Sequence, residues 1–340
     1  MHTVMPMLSV LDLAPVAEGS TPADALRNSV ELARTVERLG FHRHWVAEHH
    51  NMPGIASSSP AVLIAHLADA TSTIRVGSGG VMLPNHSALA VAEQFGMLEA
   101  MHPGRIDLGI GRAPGTDPLT ARALRRGNGV FTEDEFPAQL VELLGYFSGD
   151  FPEGHPYRHV TAVPALGYSP ALWLLGSSDY SANVAGLLGL PFSFAHHFSS
   201  GDTDAAVAAY RAAFRPSEDL AEPCVMLGVN VVCAETDEQA RWLAGSGRLA
   251  FVRLRTGRPG RLPSPEEAAA HEYSPLELEI ARSWTSSHIV GSPEPVRTRL
   301  LELADRTGAD ELMITTMVHS HAERLRSYEL VARIMGLRRD

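Results

Sequence analysis

Lysine is missing altogether: the 28 basic residues of this 340-residue chain are all arginine. That absence removes Schiff-base and pyridoxal chemistry, which need a lysine amine, and it removes the P-loop lysine. Any anion the protein holds must be met by arginine, hydroxyls, backbone amides or a helix N-terminus. Cysteine is scarce too. The two present, Cys224 and Cys233, lie near the ends of one strand-like run; extended at about 3.3 Å per residue, they sit far beyond bridging distance. No apolar segment approaches the roughly 20 residues that span a bilayer. The opening MHTVMPMLSVLDLAP has no basic start and too short an apolar run for a signal peptide. With a net charge of -11 and no basic stripe, nucleic acid is not an expected partner. The expectation is a cytoplasmic protein without membrane contact.

What is present is a globular composition, 45% apolar and 20% charged, in a chain long enough for one barrel-sized domain or two ordinary ones. Short apolar runs alternate with helical stretches. MLSVLDL is followed by TPADALRNSVELARTVERLG, with Thr21 as N-cap, Pro22 at the first helical position and Gly40 just past the end. The same alternation continues through TIRVGSGGVML, RIDLGIGR, PALWLLGSS, PFSFAHHF, CVMLGVNVVCA and ADELMITTMV. These runs are almost continuously apolar, which suits a parallel sheet covered on both faces. About eight such units predict an α/β fold, a (β/α)₈ TIM barrel, as one domain over 1–340. Two stretches exceed a minimal barrel. Residues 148–170 form a long loop before strand five. Residues 255–279 interrupt the unit after strand seven, inside a mobile insertion spanning about 242–290. Such loops are lids, binding loops or tolerated surface excursions.

In a barrel, catalytic residues gather where strands end. Those ends give Glu48-His49-His50, Ser78-Gly79-Gly80, Arg112, Gly176-Ser177-Ser178, His196-His197 and His319, a set of imidazoles facing a common mouth. Spacing argues against a metal, because neighbours on a strand point to opposite faces; only His319 and His321 share a side, and neither HExxH nor a cysteine pair is present. GIGRAPG, Gly109 to Gly115, is spaced as GxGxxxG with Pro114 where a helix should open, so a tight turn competes with a dinucleotide site. Glycines in GSGGVMLPNH mark either a close ligand approach or a crowded interior. Ser177 and Ser178 open a helix after a strand. They serve as an anion site or as ordinary caps, and Arg112 on a neighbouring loop favours phosphate.

The stretches LGFHRHWVAEHHNMPGIASSSPAVLIAHLA, RVGSGGVMLPNHSALAVAEQF, HPGRIDLGIGRAPGTD, WLLGSS and VGSPEPVRTRLLELADRTGADELMITT together resemble the bacterial luciferase-like flavin monooxygenases, most closely the single-chain luciferase-family oxidoreductases of group one. The likeness runs over nearly the whole chain and implies the same barrel. It implies that His49 serves the flavin chemistry beside the carboxylate Glu48. It implies a non-prolyl cis peptide at Gly79-Gly80 under the isoalloxazine ring, with Ser78 alongside, and a flavin phosphate surrounded by Arg112, Gly176, Ser177 and Ser178. A histidine, with an unperturbed pKa near 6.5, suits proton exchange during oxygen activation. One departure stands out: luciferase has a cysteine before that arginine, where this chain has Gly111, which bears on light emission and not on flavin binding.

The implied activity is an FMN-dependent monooxygenase. Reduced FMN, delivered by a separate flavin reductase, reacts with O₂ to a flavin hydroperoxide that oxygenates a small apolar substrate such as an aldehyde or secondary metabolite. Three alternatives stand beside it: hydride transfer with a deazaflavin, a flavin-binding protein without turnover, and a metal-dependent hydrolase. Relatives of this kind pair through helices near the second and third units, so a homodimer is expected.

Overall fold

The Thr21-Pro22 to Gly40 segment folds as its cap residues dictate. In the computed structural model, which describes residues 5–125, 135–198 and 202–337, helix α1 (Pro22–Leu39) starts on a reciprocal capping box between Thr21 and Asp24. It ends at Gly40 with φ 86°, a left-handed position that glycine fills without a Cβ clash. A cap of this kind is worth about 1 kcal/mol.

The chain then repeats one unit. After β1 (Met7–Asp12) and α1 come β2 (Arg43–Val46), α2 (Pro60–Ala70), β3 (Arg75–Met82), α3 (Ala88–Met101) and β4 (Ile106–Gly111). The short α4 (Pro118–Leu124) and α5 (Phe136–Ser148) precede β5 (Ala171–Gly176), α6 (Asp179–Leu188), β6 (Phe192–Phe194), α7 (Thr203–Ala213) and β7 (Val225–Cys233). Next are α8 (Asp237–Arg255), α9 (Pro265–Ala270), α10 (Pro275–Ser287), β8 (His288–Gly291), α11 (Pro293–Thr307), β9 (Glu311–Thr315) and α12 (His321–Ile334). Every pairing is parallel. The order β6-β5-β4-β3-β2-β1-β9-β7 closes through β6–β7 into the expected eight-strand barrel. β8 is a ninth strand that the apolar pattern did not signal, and it pairs with the upper half of β7 from Asn230 to Cys233.

Register decides which side chains fill the barrel. Leu11 lies opposite Trp45, Trp45 opposite Gly77, and Gly77 opposite Asp107; cross-strand partners share a face. The inward set makes its own small cluster of Leu11, Trp45, Trp173, Met226 and Met313. The outward set joins the helices in the main core, where Val10, Val76, Leu108, Phe192 and Ile314 are fully buried. Burying each such side chain contributes about 1.5–3 kcal/mol.

Below the inward cluster, at the strands' N-terminal ends, the interior is ionic. Asp107 accepts from Arg43 Nη1 at 2.8 Å, Trp45 Nε1 at 2.8 Å and Arg75 Nη2 at 2.6 Å. Arg43 Nε reaches Glu311 at 2.8 Å, and Ser9 Oγ donates to the same carboxylate.

Residues 149–170 form the expected long loop before the fifth strand. The stretch at 242–290, expected as a mobile insertion, is mostly helical. Ser274 and Glu277 form a second capping box at the start of α10, and Ser264 caps α9. The segment after α8 is seated on the barrel mouth: Leu262 N donates to Val16 O and Glu18 N to Leu262 O, both at 2.9 Å. Gly260 lies so close to Gly54 that a Cβ there would strike the Gly260 carbonyl. Cys224 precedes β7 and Cys233 is its last residue, both as free thiols.

Candidate active site

β2 ends at Val46, and its continuation carries Glu48 into the mouth fully buried. The carboxylate accepts from Met82 N at 2.9 Å, and its Oε1 meets His50 Nε2 at 2.8 Å and His86 Nε2 at 2.9 Å. Asn85 Nδ2 adds a fourth donor at 3.3 Å. Burial alone would raise the carboxyl pKa; the hydrogen bonds from His86, His50 and Met82 outweigh it and hold the group below its ordinary range. Glu48 is therefore an ionised hub, tying the loop after β2 to the end of β3. On the other side, Thr116 Oγ1 donates to His50 O at 2.8 Å.

His49 sits inside this frame with its backbone N–H on Ser57 O at 3.0 Å. Its ring has no bond to Glu48; Nδ1 is sealed from solvent without a partner. Burial pushes the pKa down to about 4, against the pull of Glu48's charge and with a small push from His50. At neutral pH the ring is an uncharged base. Glu48 thus acts directly on His50 and His86, and on His49 only through its field.

Across the floor, the Gly79–Gly80 peptide is cis, as the resemblance implied, and the register with β4 slips between Gly79 and Val81. The crowding expected of these glycines is also real: a Cβ on Gly80 would lie 2.7 Å from Gly109 O. The Ser78 hydroxyl is buried and donates to Gly109 O at 2.9 Å, so what Ser78 can offer a ligand is backbone.

β4 and β5 are neighbours, with Ile110 opposite Leu174, and this brings Arg112 to the start of α6. Its guanidinium lies 4.5 Å over the ring of Tyr180, in that helix's first turn. Ser178 occupies the N-cap position, yet its side chain makes no capping bond. The first-turn amides of α6 thus have no cap from Ser178, and the exposed Ser177 and Ser178 stand beside them. Gly176 is a packing glycine, where a Cβ would press within 2.8 Å of Ser181 Oγ.

The imidazoles expected at one mouth, together with His86 and His288, divide into groups. His50 and His86 serve Glu48. His197 and His288 line the wall beyond β6 and are desolvated like His49, with pKa values pushed down to about 4 and about 3 by burial first and by neighbouring imidazoles second for His288. His196 turns away to Thr203 Oγ1 at 2.7 Å. His319 meets Glu18 O at 3.0 Å while His321 faces Glu31 at 3.4 Å, so the same-side pair has separate partners. Among the described residues no group of three or more His, Cys, Asp or Glu could hold a metal ion, and no helix is long and apolar enough to cross a membrane.

The model of the luciferase-like monooxygenase family matches residues 5–311. The chain belongs to that family. It is 51% identical to the YvbT protein of Bacillus subtilis (strain 168), over 96% of each chain, and 46% identical to a luciferase-like monooxygenase of Escherichia coli (strain K12), over 95% of each. Among solved structures it is similar to apo-MsnO8, with a TM-score of 0.89 and 42% identity over 98% of this chain and 100% of that one. In this luciferase-like frame, sequence reasoning missed His86, Asn85, Asn230 and His288. His86 is 38 positions from Glu48, and its only trace in the sequence was an imidazole closing the glycine-rich GSGGVMLPNH run. Asn230 was hidden inside the apolar run of β7.

Proposed function

We propose that the chain is the oxygenating component of an FMN-dependent monooxygenase acting on a small organic substrate. The observation that carries this reading is the pairing of Arg112 with the uncapped first turn of α6, on the same barrel mouth as a neutral, partnerless His49. The donor set fits a phosphorylated tricyclic ring. Arg112, the Ser177 and Ser178 hydroxyls and the first-turn amides of α6, which follow Gly176, would hold the phosphate. The backbone of Ser78, Gly79 and Gly80, free of side chains over the ring, would carry the flat ring system. FMN supplies the two-electron chemistry with O₂.

The protein's own part is positional. Glu48, locked by His50, His86 and Met82, fixes the loop so that His49 can accept and return a proton at a ring nitrogen. The arch of α8 to α10 restricts water at the mouth. A flavin reductase is the proposed source of reduced FMN, engaged transiently. A homodimer through α2 and α3 belongs to the same reading, and Val62, Met97 and Met101 are exposed apolar side chains there.

Two relatives in fold support a flavin of either kind. The oxygenating constituent of 3,6-diketocamphane monooxygenase from Pseudomonas putida holds FMN, at a TM-score of 0.72 and 19% identity. An F420-dependent secondary alcohol dehydrogenase holds a deazaflavin adduct, at 0.69 and 13%. Among relatives of higher identity, the N-acetyl-S-alkylcysteine monooxygenase of Bacillus subtilis (strain 168) is 38% identical. These favour oxygenation over hydride transfer.

Titration of the purified protein with FMN, reduced FMN and F420, followed by fluorescence and flow dialysis, tests the cofactor. Mixing reduced FMN and O₂ under labelled oxygen gas then tests for incorporation of one labelled atom into an added thioether or ketone. Binding of neither FMN form overturns the proposal; preference for F420 replaces it with hydride transfer; tight FMN binding without product from any substrate leaves a flavin-binding protein.

A further inference from the structure

The loop after β4, from Arg112 to Asp117, lies against the span after β2 that carries Glu48, His49 and His50, and hydrogen bonds join the two along their length. Thr116 Oγ1 donates to His50 O at 2.8 Å, and His50 N donates to Gly115 O at 3.3 Å. Asn51 Nδ2 donates to Asp117 Oδ2 at 3.0 Å. Asn85, just after β3, bridges both sides: its Nδ2 donates to Pro114 O at 2.8 Å and to Glu48 Oε1 at 3.3 Å. Between these bonds main chain meets main chain. Gly115 has φ 64°, and a Cβ there would stand 2.7 Å from Glu48 O.

The residue after His49 is thus held at both its amide and its carbonyl. Asn51 follows at φ 55°, a left-handed backbone that asparagine tolerates better than most residues. Its partner Asp117 is itself fixed, because the other carboxylate oxygen caps α4 through Leu119 N and Thr120 N at 2.9 and 3.0 Å. His49 depends on such neighbours. Its Nδ1 has no hydrogen bond, and its backbone N–H makes one, to Ser57 O. Glu48 ties the span to the end of β3; the bonds at His50 and Asn51 tie it to the loop after β4.

We infer that Thr116 and Asn51 are positioning residues, which clamp the span carrying His49 to the loop carrying Arg112 and so set where the imidazole stands. This deepens the monooxygenase reading and rests on it for the reaction. The clamp makes the base and the phosphate cradle parts of one rigid piece. Arg112 has a second anchorage over Tyr180, so loosening the clamp frees the imidazole more than the guanidinium. A catalytic group displaced by about 1 Å can lose about a hundred-fold in rate. A span that lifts also lets water reach a ring that burial keeps uncharged. The titratable groups acting on that ring are Glu48 and His50 on its own span and His197 after β6, and the clamp residues are none of these.

The test uses the full chain and two neutral substitutions. Thr116→Val keeps the shape and removes the hydroxyl; Asn51→Gly keeps the left-handed turn and removes the amide. Thr116→Ser puts the hydroxyl back. NMR of nitrogen-labelled imidazoles, with the His49 signal assigned by His49→Gln, is followed against pH on the flavin-free chain. The His49 midpoint, about 4 in the parent, should rise to at least about 5 in Thr116→Val and Asn51→Gly and return in Thr116→Ser. With FMN, oxygen uptake should show kcat lowered about ten-fold and FMN affinity within about three-fold of the parent. Thr116→Val is close to isosteric, so the clamp stays testable if Asn51→Gly does not fold. A midpoint unchanged in Thr116→Val and in any folded Asn51 variant overturns the inference, as does a change that Thr116→Ser fails to reverse. Where FMN turns over, a kcat equal to the parent's, or an FMN affinity that falls as far as kcat, overturns it too. If FMN fails to bind while the His49 midpoint still moves, the flavin reading falls and the clamp stands; if FMN turns over alike in every variant, the clamp falls and the flavin reading stands.

Discussion

The two ends of the barrel interior are built on opposite terms. At the N-terminal ends of the strands, Asp107 is gripped by Arg43, Arg75 and Trp45, and Glu311 by Arg43 and Ser9, leaving one oxygen of Glu311 unpaired. At the C-terminal ends, His49, Asn230 and Thr315 each keep a sealed polar atom without a partner. Both levels are buried and polar, so burial does not distinguish them. The difference is whether the protein completes its own hydrogen bonding, and it follows the division of a barrel into a stabilising lower face and a working upper one.

The largest expected effect lies at the lower end. Asp107→Asn removes the counter-charge shared by the buried Arg43 and the half-buried Arg75 and should cost about 3–5 kcal/mol of unfolding free energy, measured by urea denaturation. A loss below 1 kcal/mol would dissolve the contrast. At the upper end, His49→Ala should leave stability within about 1 kcal/mol while lowering kcat about 10²–10⁴-fold, read by oxygen uptake with reduced FMN. Arg112→Ala should weaken FMN binding about 10–100-fold, the worth of a charge-assisted hydrogen bond, with the melting temperature nearly unchanged.

The last contrast is in pH. His49, His197 and His288 have folded pKa values of about 4, about 4 and about 3, whereas the unfolded chain takes up these protons near 6.5. Between pH 6.5 and 4 the unfolded state binds more protons, so stability falls as pH falls and is flat in these groups above 6.5. His288→Gln should make that slope shallower by one proton in a melting series. An unaltered slope would mean that the upper imidazoles titrate normally.

Legibility in the sequence followed the range of the physics. Continuous apolar strands, the Thr21 cap and the long 148–170 loop are local patterns, and they were readable. β8 was not, because four residues between α10 and Ser292-Pro293 have no period of their own, and their strand character comes from β7. The helices within 242–290 had their signals in Ser264-Pro265 and Ser274-Pro275 with Glu277, but the density of proline and glycine masked them. For the site, strand-end logic reached Glu48, His49 and Arg112. It missed that Glu48 answers to His86 and not to His49, a pairing only the fold creates. The ionic lower level was equally hidden, since Arg43, Asp107 and Glu311 are single charges scattered through apolar runs.

Where Gly260 meets Gly54, main chain rests on main chain with no side chain between them. Such a seam has no rotamer to swing aside, so it parts only if a whole segment lifts. Gly54 belongs to the stretch between β2 and α2 that also carries His49. Raising the arch would thus unload the very span on which the imidazole rides, so that opening the mouth and disturbing its base would be one motion and not two.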